Sequence, residues 1–370
     1  MEFSLFLSPF YPDTDYPAAK LYAETLEQAK LAEQLGFCGV TVPEHQFINI
    51  LMVPDPLMFA IRVADVTERI TITTAVLVLP LRDMKRLAGS ITLADNLTGG
   101  RLQLGVGRGA FRYEFDRFAV PIETSRAHFD ESLAVLEALL SREEVSWDGE
   151  HYSFDALTVM PRPLQRPHPP IWIAALAPEA IYHSARRGYH VQTTPLKPSP
   201  EFLKTRAAER GKFGESIPFG DVNSLIAAQA DGFRRGIAEA GEKGVGKRLS
   251  LLRVGFVTAD EADARDKAAL SRGYYQRFAN MRESPGTVSG GAVAPVEIAD
   301  SDEELYDSLI IGTPERVVEK LRPYQAMGFD EINLNMNIGA PIAETLASIE
   351  RFATQVMPHF AAKPDLSETG

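Results

Sequence analysis

Short apolar runs alternate with amphipathic helical segments along almost the whole chain, and this alternation restricts the fold more than any other feature. Eight runs are predicted as strands, including Gly39–Val42 and Leu249–Val257. The segments predicted as helices include 18–35, 84–97 and about 199–212. Strands that are apolar throughout are typical of a parallel sheet covered on both faces. Eight strand–helix units favour an α/β fold of the closed (β/α)8 or TIM-barrel type over an open sheet.

Two stretches depart from the alternation, at 144–169 and 283–312, and we interpret them as insertions in a single domain that spans residues 1–370. The first contains a predicted hairpin turn at 147–152. The second includes a stretch rich in Gly, Pro, Ser and Ala at 283–300. A loop this long is either a lid over the barrel mouth or a surface insertion, and the sequence favours neither.

Composition excludes several classes of function. The chain has 38 Lys and Arg against 50 Asp and Glu, a formal net charge of −12, so general nucleic-acid binding is not expected. Its single cysteine, Cys38, excludes an internal disulfide and a zinc site of several thiolates. The seven histidines form no metal-ligand motif, so no metal is expected.

Membrane association is not expected either. No stretch approaches the roughly 20 apolar residues that span a bilayer. The first residues lack the basic leader and long apolar run of a signal peptide. We therefore expect a cytoplasmic protein.

Barrel enzymes place their active sites at the carboxyl ends of the strands, and one such end carries a cation among glycines. Gly107, Arg108 and Gly109 follow the predicted fourth strand, 102–106. Glycine lets backbone approach a ligand closely, and a guanidinium can grip a phosphate or carboxylate with two hydrogen bonds. The segment predicts a site for an anionic cofactor.

Two other interpretations of this segment exist. Arg108 could form a salt bridge with Glu114 or Asp116. Residues 105–110 also match the dinucleotide pattern G-x-G-x-x-A, but that motif needs a helix directly after it and then another strand. Here residues 111–126 intervene and no strand is predicted before about 170, so a dinucleotide site is not favoured.

The end of the second strand supplies a candidate catalytic residue, His45. Histidine titrates near neutral pH and suits general acid–base catalysis. The alternative is a structural histidine hydrogen-bonded to Glu44, and position alone does not separate the two.

Several apolar side chains are predicted near the same barrel mouth, where they would line a substrate pocket. Beside a cation and a histidine they suggest a ring-shaped cofactor and an apolar substrate. The predicted lining residues are Phe10, Phe47, Ile48, Phe111 and Met336.

Several motifs, in the same order along the chain, resemble the bacterial luciferase-like flavin-dependent monooxygenases. The resemblance covers most of the chain and is densest over residues 74–80, 93–111, 169–180 and 311–336. It implies a (β/α)8 barrel that binds FMN. It also implies a non-prolyl cis peptide after strand three, on which the isoalloxazine packs.

The resemblance also implies roles for individual residues. Arg108 aligns with the family's phosphate-binding arginine, and His45 aligns with its essential histidine. The backbone after strand five would complete the phosphate site. The cofactor-binding residues implied in this way are Ala75, Val76, Gly107, Arg108, Gly109, Ala175, Leu176 and Ala177.

The chain departs from the family pattern at three points. Gln46 replaces a second histidine, Gly107 replaces the reactive cysteine of luciferase itself, and Leu176 or Ala177 replaces a common serine. The first two differences speak against light emission and an aldehyde substrate. The third leaves more of the phosphate binding to Arg108 and to backbone N–H groups.

The function implied is that of a two-component FMN-dependent monooxygenase. A separate flavin reductase would supply reduced FMN, and O2 would form a C4a-peroxyflavin that oxygenates a small apolar substrate, with His45 managing protons. The family also suggests a homodimer. The alternatives are an F420-dependent oxidoreductase that transfers hydride, and a flavin-binding protein without turnover. A net charge of −12 and a single clear cation speak mildly against the polyanionic F420.

Overall fold

Eight parallel strands close into a barrel in the computed structural model, which describes residues 1–195, 222–283 and 286–361. Sequence order and ring order are the same, so each strand pairs with the next. The barrel strands are β1 (Glu2–Phe6), β2 (Gly39–Val42), β3 (Thr71–Thr74), β4 (Leu102–Gly107), β5 (Ile171–Ala174), β6 (His190–Thr193), β7 (Leu249–Val257) and β8 (Glu331–Asn335).

The ring closes between the first and the last strand. Leu5 of β1 lies opposite Val40 of β2 on one side and Leu334 of β8 on the other. All three side chains are buried between the barrel and its helices, since Phe3, on the same face of β1 as Leu5, packs on Phe352 of a surrounding helix. The predicted (β/α)8 fold is confirmed.

Helices surround the barrel, and the predicted helix at about 199–212 lies outside the described residues. Their ends follow recognisable signals, such as the Asp55 side chain at the start of α2 and the left-handed Gly328 at the end of α10. The helices are α1 (Ala18–Gln34), α2 (Pro56–Val66), α3 (Met84–Leu97), α4 (Arg112–Arg117), α5 (Ser125–Ser141), α6 (Pro178–Arg186), α7 (Val222–Ala240), α8 (Glu261–Glu283), α9 (Asp302–Ser308), α10 (Pro314–Met327) and α11 (Ile342–Gln355).

The third strand differs from its prediction. The sequence predicts one strand over 70–79, whereas the structure divides it into β3 and a short strand, Leu77–Val78. The peptide bond between Ala75 and Val76, which lies between them, is cis. Leu77–Val78 then pairs with the end of β4, so the backbone bends at the point where the site is expected.

Both insertions contain short antiparallel hairpins. The first pairs Val145–Asp148 with Ser153–Leu157, which confirms the predicted turn. The second pairs Val288–Ser289 with Ala292–Val293. The buried side chain of Asn49 accepts a hydrogen bond from the Val293 N–H at 2.9 Å, so the second hairpin is fixed to the loop after β2.

No helix among the described residues has the length and apolar character needed to cross a membrane.

Candidate functional site

The ring of His45 is held by a carboxylate from another part of the chain. Its Nδ1 lies 3.2 Å from Oε1 of Glu114 on α4, and the same oxygen accepts the backbone N–H of Gln46 at 2.6 Å. Only 2% of Glu114 is exposed. A carboxylate acceptor at Nδ1 favours the tautomer in which Nδ1 carries the proton, which leaves Nε2 as the free nitrogen of a neutral ring.

The alternative in which Glu44 holds His45 is wrong. The buried Glu44 carboxylate instead binds the Arg82 guanidinium at 2.9 to 3.1 Å and accepts the N–H of Val78 at 3.1 Å. Burial raises the pKa of Glu44, and the neighbouring Arg82 opposes that rise. Glu44 therefore ties the loop after β2 to the segment after the cis peptide.

A wall of aromatic rings extends from His45 across the barrel mouth. Phe111 stacks on the His45 ring with a centroid distance of 4.6 Å. Phe278 of α8 meets Phe111 edge-on at 5.6 Å, and Tyr274, one turn earlier, stacks on Phe278 at 6.0 Å and meets Phe10 at 5.6 Å. These separations are typical of favourable aromatic pairs.

Three strand ends meet beside this wall. A Cβ atom added at Gly107 would lie 2.7 Å from the Val76 side chain and 3.6 Å from that of Ala174, and one added at Gly105 would lie 1.7 Å from the carbonyl oxygen of Thr74. Gly105 and Gly107 are thus needed where β4 packs against its neighbours. The side of Gly107 on which a Cβ would stand therefore faces the cis-peptide segment.

Arg108 follows Gly107, is exposed, and binds no carboxylate within the described parts of the chain. It makes no hydrogen bond or ion pair with any residue that the structure describes, and Glu114, its suggested partner, is bound to His45. The surrounding protein displaces water from the Arg108 guanidinium and Arg126 lies nearby, so the pKa of Arg108 is lowered. The salt-bridge alternative is therefore wrong for Glu114, and Asp116 is not bound to Arg108 either.

The loop after β5 presents backbone donors. The N–H of Ala175 is used by the sheet, since it donates to Gln192 O at 3.0 Å. Within the described residues, the N–H groups of Leu176 and Ala177 have no acceptor, and α6 begins directly afterwards without a side-chain cap. A helix start with free N–H groups attracts anions.

A buried glutamine fixes that loop. Nε2 of Gln229, on α7, donates to the carbonyl oxygens of Leu176 at 2.8 Å and Thr194 at 3.2 Å. Gln229 is completely buried, and its Oε1 has no partner among the described residues. It therefore joins the ends of β5 and β6.

A cavity of about 540 Å3 lies beside His45. Two of the predicted substrate-pocket residues, Phe47 and Ile48, line it, together with Tyr113 and the hairpin residues Gly290 and Gly291. This position brings the second insertion to the edge of the site.

The other three predicted pocket residues lie elsewhere. Phe10 and Phe111 belong to the aromatic wall. Met336 is completely buried in the main core, because the chain directly after β8 still contributes to barrel packing. It is therefore not a lining residue of this cavity.

Three residues of the site were not predicted as such. Glu114 enters the sequence predictions only as a partner of Arg108, and Arg126 has no predicted role in the site. Gln229 carries no sequence signal, because a buried glutamine on a helix is recognised only from its contacts. For Arg126, the sequence signal could have been a second cation that follows the Gly107–Arg108 segment.

No group of three or more His, Cys, Asp or Glu side chains able to hold a metal ion occurs among the described residues.

Comparison with known families shows which family this chain belongs to. Residues 1–219 match the model of the family described as luciferase-like monooxygenase. The chain belongs to this family. Relatives of this chain are flavin-dependent monooxygenases, and the chain is an enzyme of that kind. A flavin-dependent trigonelline monooxygenase, oxygenase component, from Acinetobacter baylyi is 27% identical over 98% of this chain and 96% of that protein.

Solved structures share the fold. The monooxygenase RslO1 from Streptomyces bottropensis superposes with a TM-score of 0.81 at 26% identity, covering 98% of this chain and 100% of that one. The oxygenating constituent of 3,6-diketocamphane monooxygenase from Pseudomonas putida, in complex with FMN, has a TM-score of 0.72 and covers 98% and 100%. An F420-dependent secondary alcohol dehydrogenase has a TM-score of 0.69 and covers 98% and 99%. The last two are 16% identical to this chain.

Proposed function

We propose that this luciferase-like monooxygenase is the oxygenase component of a two-component system and uses reduced FMN and O2 to oxygenate a small apolar organic substrate. The observation that carries the proposal is the Arg108 guanidinium at the end of β4, with Arg126 close enough for its charge to lower the pKa of Arg108. Neither has a carboxylate partner among the described residues, and Arg108 directly follows Gly107, which packs on the cis-peptide segment.

The donor set of this region suits FMN. Arg108, Arg126 and the N–H groups of Leu176 and Ala177 would hold the phosphate, since charge-assisted and helix-terminal donors both favour that group. Ala75, Val76 and Gly107 would lie against the flavin ring, and the left-handed Gly109 would turn the chain away from it. Ala175 would support the loop after β5 through the hydrogen bond that its N–H donates to Gln192 on β6.

Bound reduced FMN would supply the two electrons with which O2 delivers one oxygen atom to the substrate and one to water. His45 would hold or transfer a proton at Nε2, because Glu114 occupies Nδ1. The aromatic wall on Phe111 and the hairpin held by Asn49 would exclude water from the reacting groups. The same proposal includes a cytoplasmic location for this protein, a separate flavin reductase as partner, a homodimer and a single domain over residues 1–370.

Cofactor titration tests the proposal. Reduced FMN should bind more tightly than riboflavin, which lacks the phosphate, and Arg108→Ala should weaken FMN binding about 10- to 100-fold while riboflavin binding stays unchanged. Arg112→Ala is the matched control, because Arg112 is exposed and paired with Glu123 at 2.6 Å. Equal binding of FMN by the wild-type protein and Arg108→Ala would overturn the assignment of the phosphate site.

The reaction itself is tested by mixing the protein–FMNH2 complex with O2 in a stopped-flow absorbance experiment. A transient species distinct from reduced and oxidised FMN, lasting longer than in free solution, is expected. Rapid oxidation indistinguishable from that of free FMNH2 would contradict an oxygenase. A preference for F420 over FMN in the titration would assign the protein to hydride transfer instead.

A further inference from the structure

The inner face of the barrel carries very small residues where β4 and β5 end. Side chains alternate between the two faces of a strand, so Ala174 shares the inner face of β5 with Trp172, whose indole N–H donates to Gln103 of β4 at 2.7 Å. Gly105 lies two residues after Gln103 and therefore in the same layer as Ala174. Barrel interiors are typically filled by layers of bulky side chains. Here Ala174 is exposed although it belongs to a barrel strand, so a hollow opens above Trp172.

The side chain of Gln192 extends into this hollow. Gln192 is the register partner of Ala174 on the neighbouring strand β6. It shares a face of β6 with His190, whose ring stacks on Trp172 in the layer below at a centroid distance of 4.5 Å. A Cβ atom added at Gly105, on β4, would lie 2.9 Å from Oε1 of Gln192. The Gln192 amide therefore reaches from β6 past the small side chain of Ala174 to β4.

The amide of Gln192 lies beside the cis-peptide segment and is available to a ligand. The same Cβ position at Gly105 is 1.7 Å from the carbonyl oxygen of Thr74, the residue directly before Ala75 and its cis bond. Gln192 is only partly buried, and its side chain makes no hydrogen bond with any residue that the structure describes. A carboxamide has one acceptor oxygen and two N–H donors. A group that enters from the barrel mouth can therefore pair with both kinds of atom.

We propose that Gln192 binds the pyrimidine edge of the flavin ring, donating an amide N–H to a ring carbonyl oxygen and accepting the ring N3–H at Oε1. That edge presents a carbonyl oxygen on each side of an N–H group, and a carboxamide complements such a heterocycle edge with two parallel hydrogen bonds. This inference rests on the proposed function, in which the ring lies against Ala75, Val76 and Gly107. It adds the side chain that recognises the edge of the ring.

Anaerobic titration with reduced FMN and with reduced 3-methyl-FMN, in which a methyl group replaces the N3 proton, tests the inference. The wild-type protein should bind FMN about 10- to 100-fold more tightly, because the methyl derivative leaves Oε1 of Gln192 without its donor. Gln192→Met keeps the volume but has neither donor nor acceptor, so it should bind the two flavins with similar affinity. Gln325→Met, at an exposed position on α10, is the matched control and should discriminate as the wild type does.

Equal binding of the two flavins by the wild-type protein would overturn the inference, as would a Gln192→Met variant that keeps the full preference for FMN. Riboflavin and 3-methylriboflavin separate this result from the proposed phosphate site. Gln192→Met should still bind FMN more tightly than riboflavin, and a loss of that preference would overturn an assignment to the ring edge alone. A wild-type protein that rejects both methyl derivatives but binds FMN no better than riboflavin would contradict the phosphate site and still support the role of Gln192.

Discussion

Nδ1 of His45 lies 3.2 Å from Oε1 of Glu114, although 69 positions separate the two residues in the sequence. The short helix α4 carries Glu114 into the barrel mouth, where its carboxylate binds both the His45 ring and the N–H of Gln46. This pairing fixes the orientation and the tautomer of the ring. The proton chemistry proposed for His45, which follows β2, therefore depends on Glu114, which follows β4.

Replacement of Glu114 by glutamine should therefore reduce turnover. Glu114→Gln keeps the shape but can present an N–H to Nδ1, which favours the other tautomer. We expect kcat to fall about 10-fold or more, within the range that general acid–base groups contribute, and the pH profile of kcat to shift. Asp116→Asn, an exposed position on the same helix, is the control. An unchanged kcat and pH profile in Glu114→Gln would contradict the pairing's role.

Arg108 and Arg126 should act together on the phosphate. Each single alanine variant is expected to weaken FMN binding, and the effect of the double variant should differ from the product of the two single effects, because groups that share one ligand are coupled. Equilibrium dialysis at two salt concentrations measures this, and raised salt should weaken wild-type binding more than that of the double variant. Independent, multiplicative effects would indicate that the two arginines do not share a ligand.

Gln229→Met should lower both stability and FMN affinity. The substitution keeps the volume but leaves the carbonyl oxygens of Leu176 and Thr194 without their donor, which costs about 1–3 kcal/mol. Denaturant unfolding measures the loss, and a comparison of FMN with riboflavin tests whether the phosphate loop has moved. If FMN affinity is retained while stability falls, Gln229 supports the fold without positioning the cofactor.

The second hairpin should open when its hydrogen bond to Asn49 is removed. Asn49 donates to Tyr11 O at 2.7 Å and accepts from Val293 N, so Asn49→Ala removes both. Hydrogen exchange over residues 288–293 should become faster, whereas exchange over the hairpin at 145–157 should not change and serves as an internal control. Equal exchange in both proteins would show that apolar packing alone holds the hairpin.

The free energy of unfolding should fall in acid because His190 is buried. Burial lowers the pKa of His190 from its ordinary 6.5 to about 4. The unfolded chain therefore binds a proton between these values that the folded protein does not, so the free energy of unfolding falls as the pH drops from about 6.5 to about 4, by up to about 3 kcal/mol. His190→Gln should flatten this slope in denaturant titrations at a series of pH values. His359→Gln, at an exposed position, should keep it.

Periodicity predicted the elements closely where local signals are strong. The predicted bounds of Met84–Leu97 and Leu249–Val257 match the structure, because apolar spacing and the Asp83 cap define the helix and a long apolar run defines the strand. The break after β3 could not be predicted in this way. A run of β-branched residues reads as one strand, and only the family resemblance indicated the cis bond at Ala75–Val76.

The positions of His45 and Arg108 at strand ends could be predicted from the sequence, but their contacts could not. The strand-end rule selected His45 and Arg108, and both lie at the barrel mouth. Their partners were beyond reach, because the choice between Glu44 and Glu114 depends on how α4 packs. Gly107 shows the same limit, since a glycine beside a cation suggests a ligand, and only the structure shows that a Cβ at this position would meet the Val76 side chain.

The closure of β1 against β8 also has a consequence for synthesis. While a ribosome makes this chain, β1 can pair with β2 early, but its other edge has no partner until residues 331–335 have emerged. An unpaired strand edge is prone to aggregation, and folding that depends on contacts so distant in sequence is slow. The nascent barrel should therefore depend on chaperones until its last strand is made.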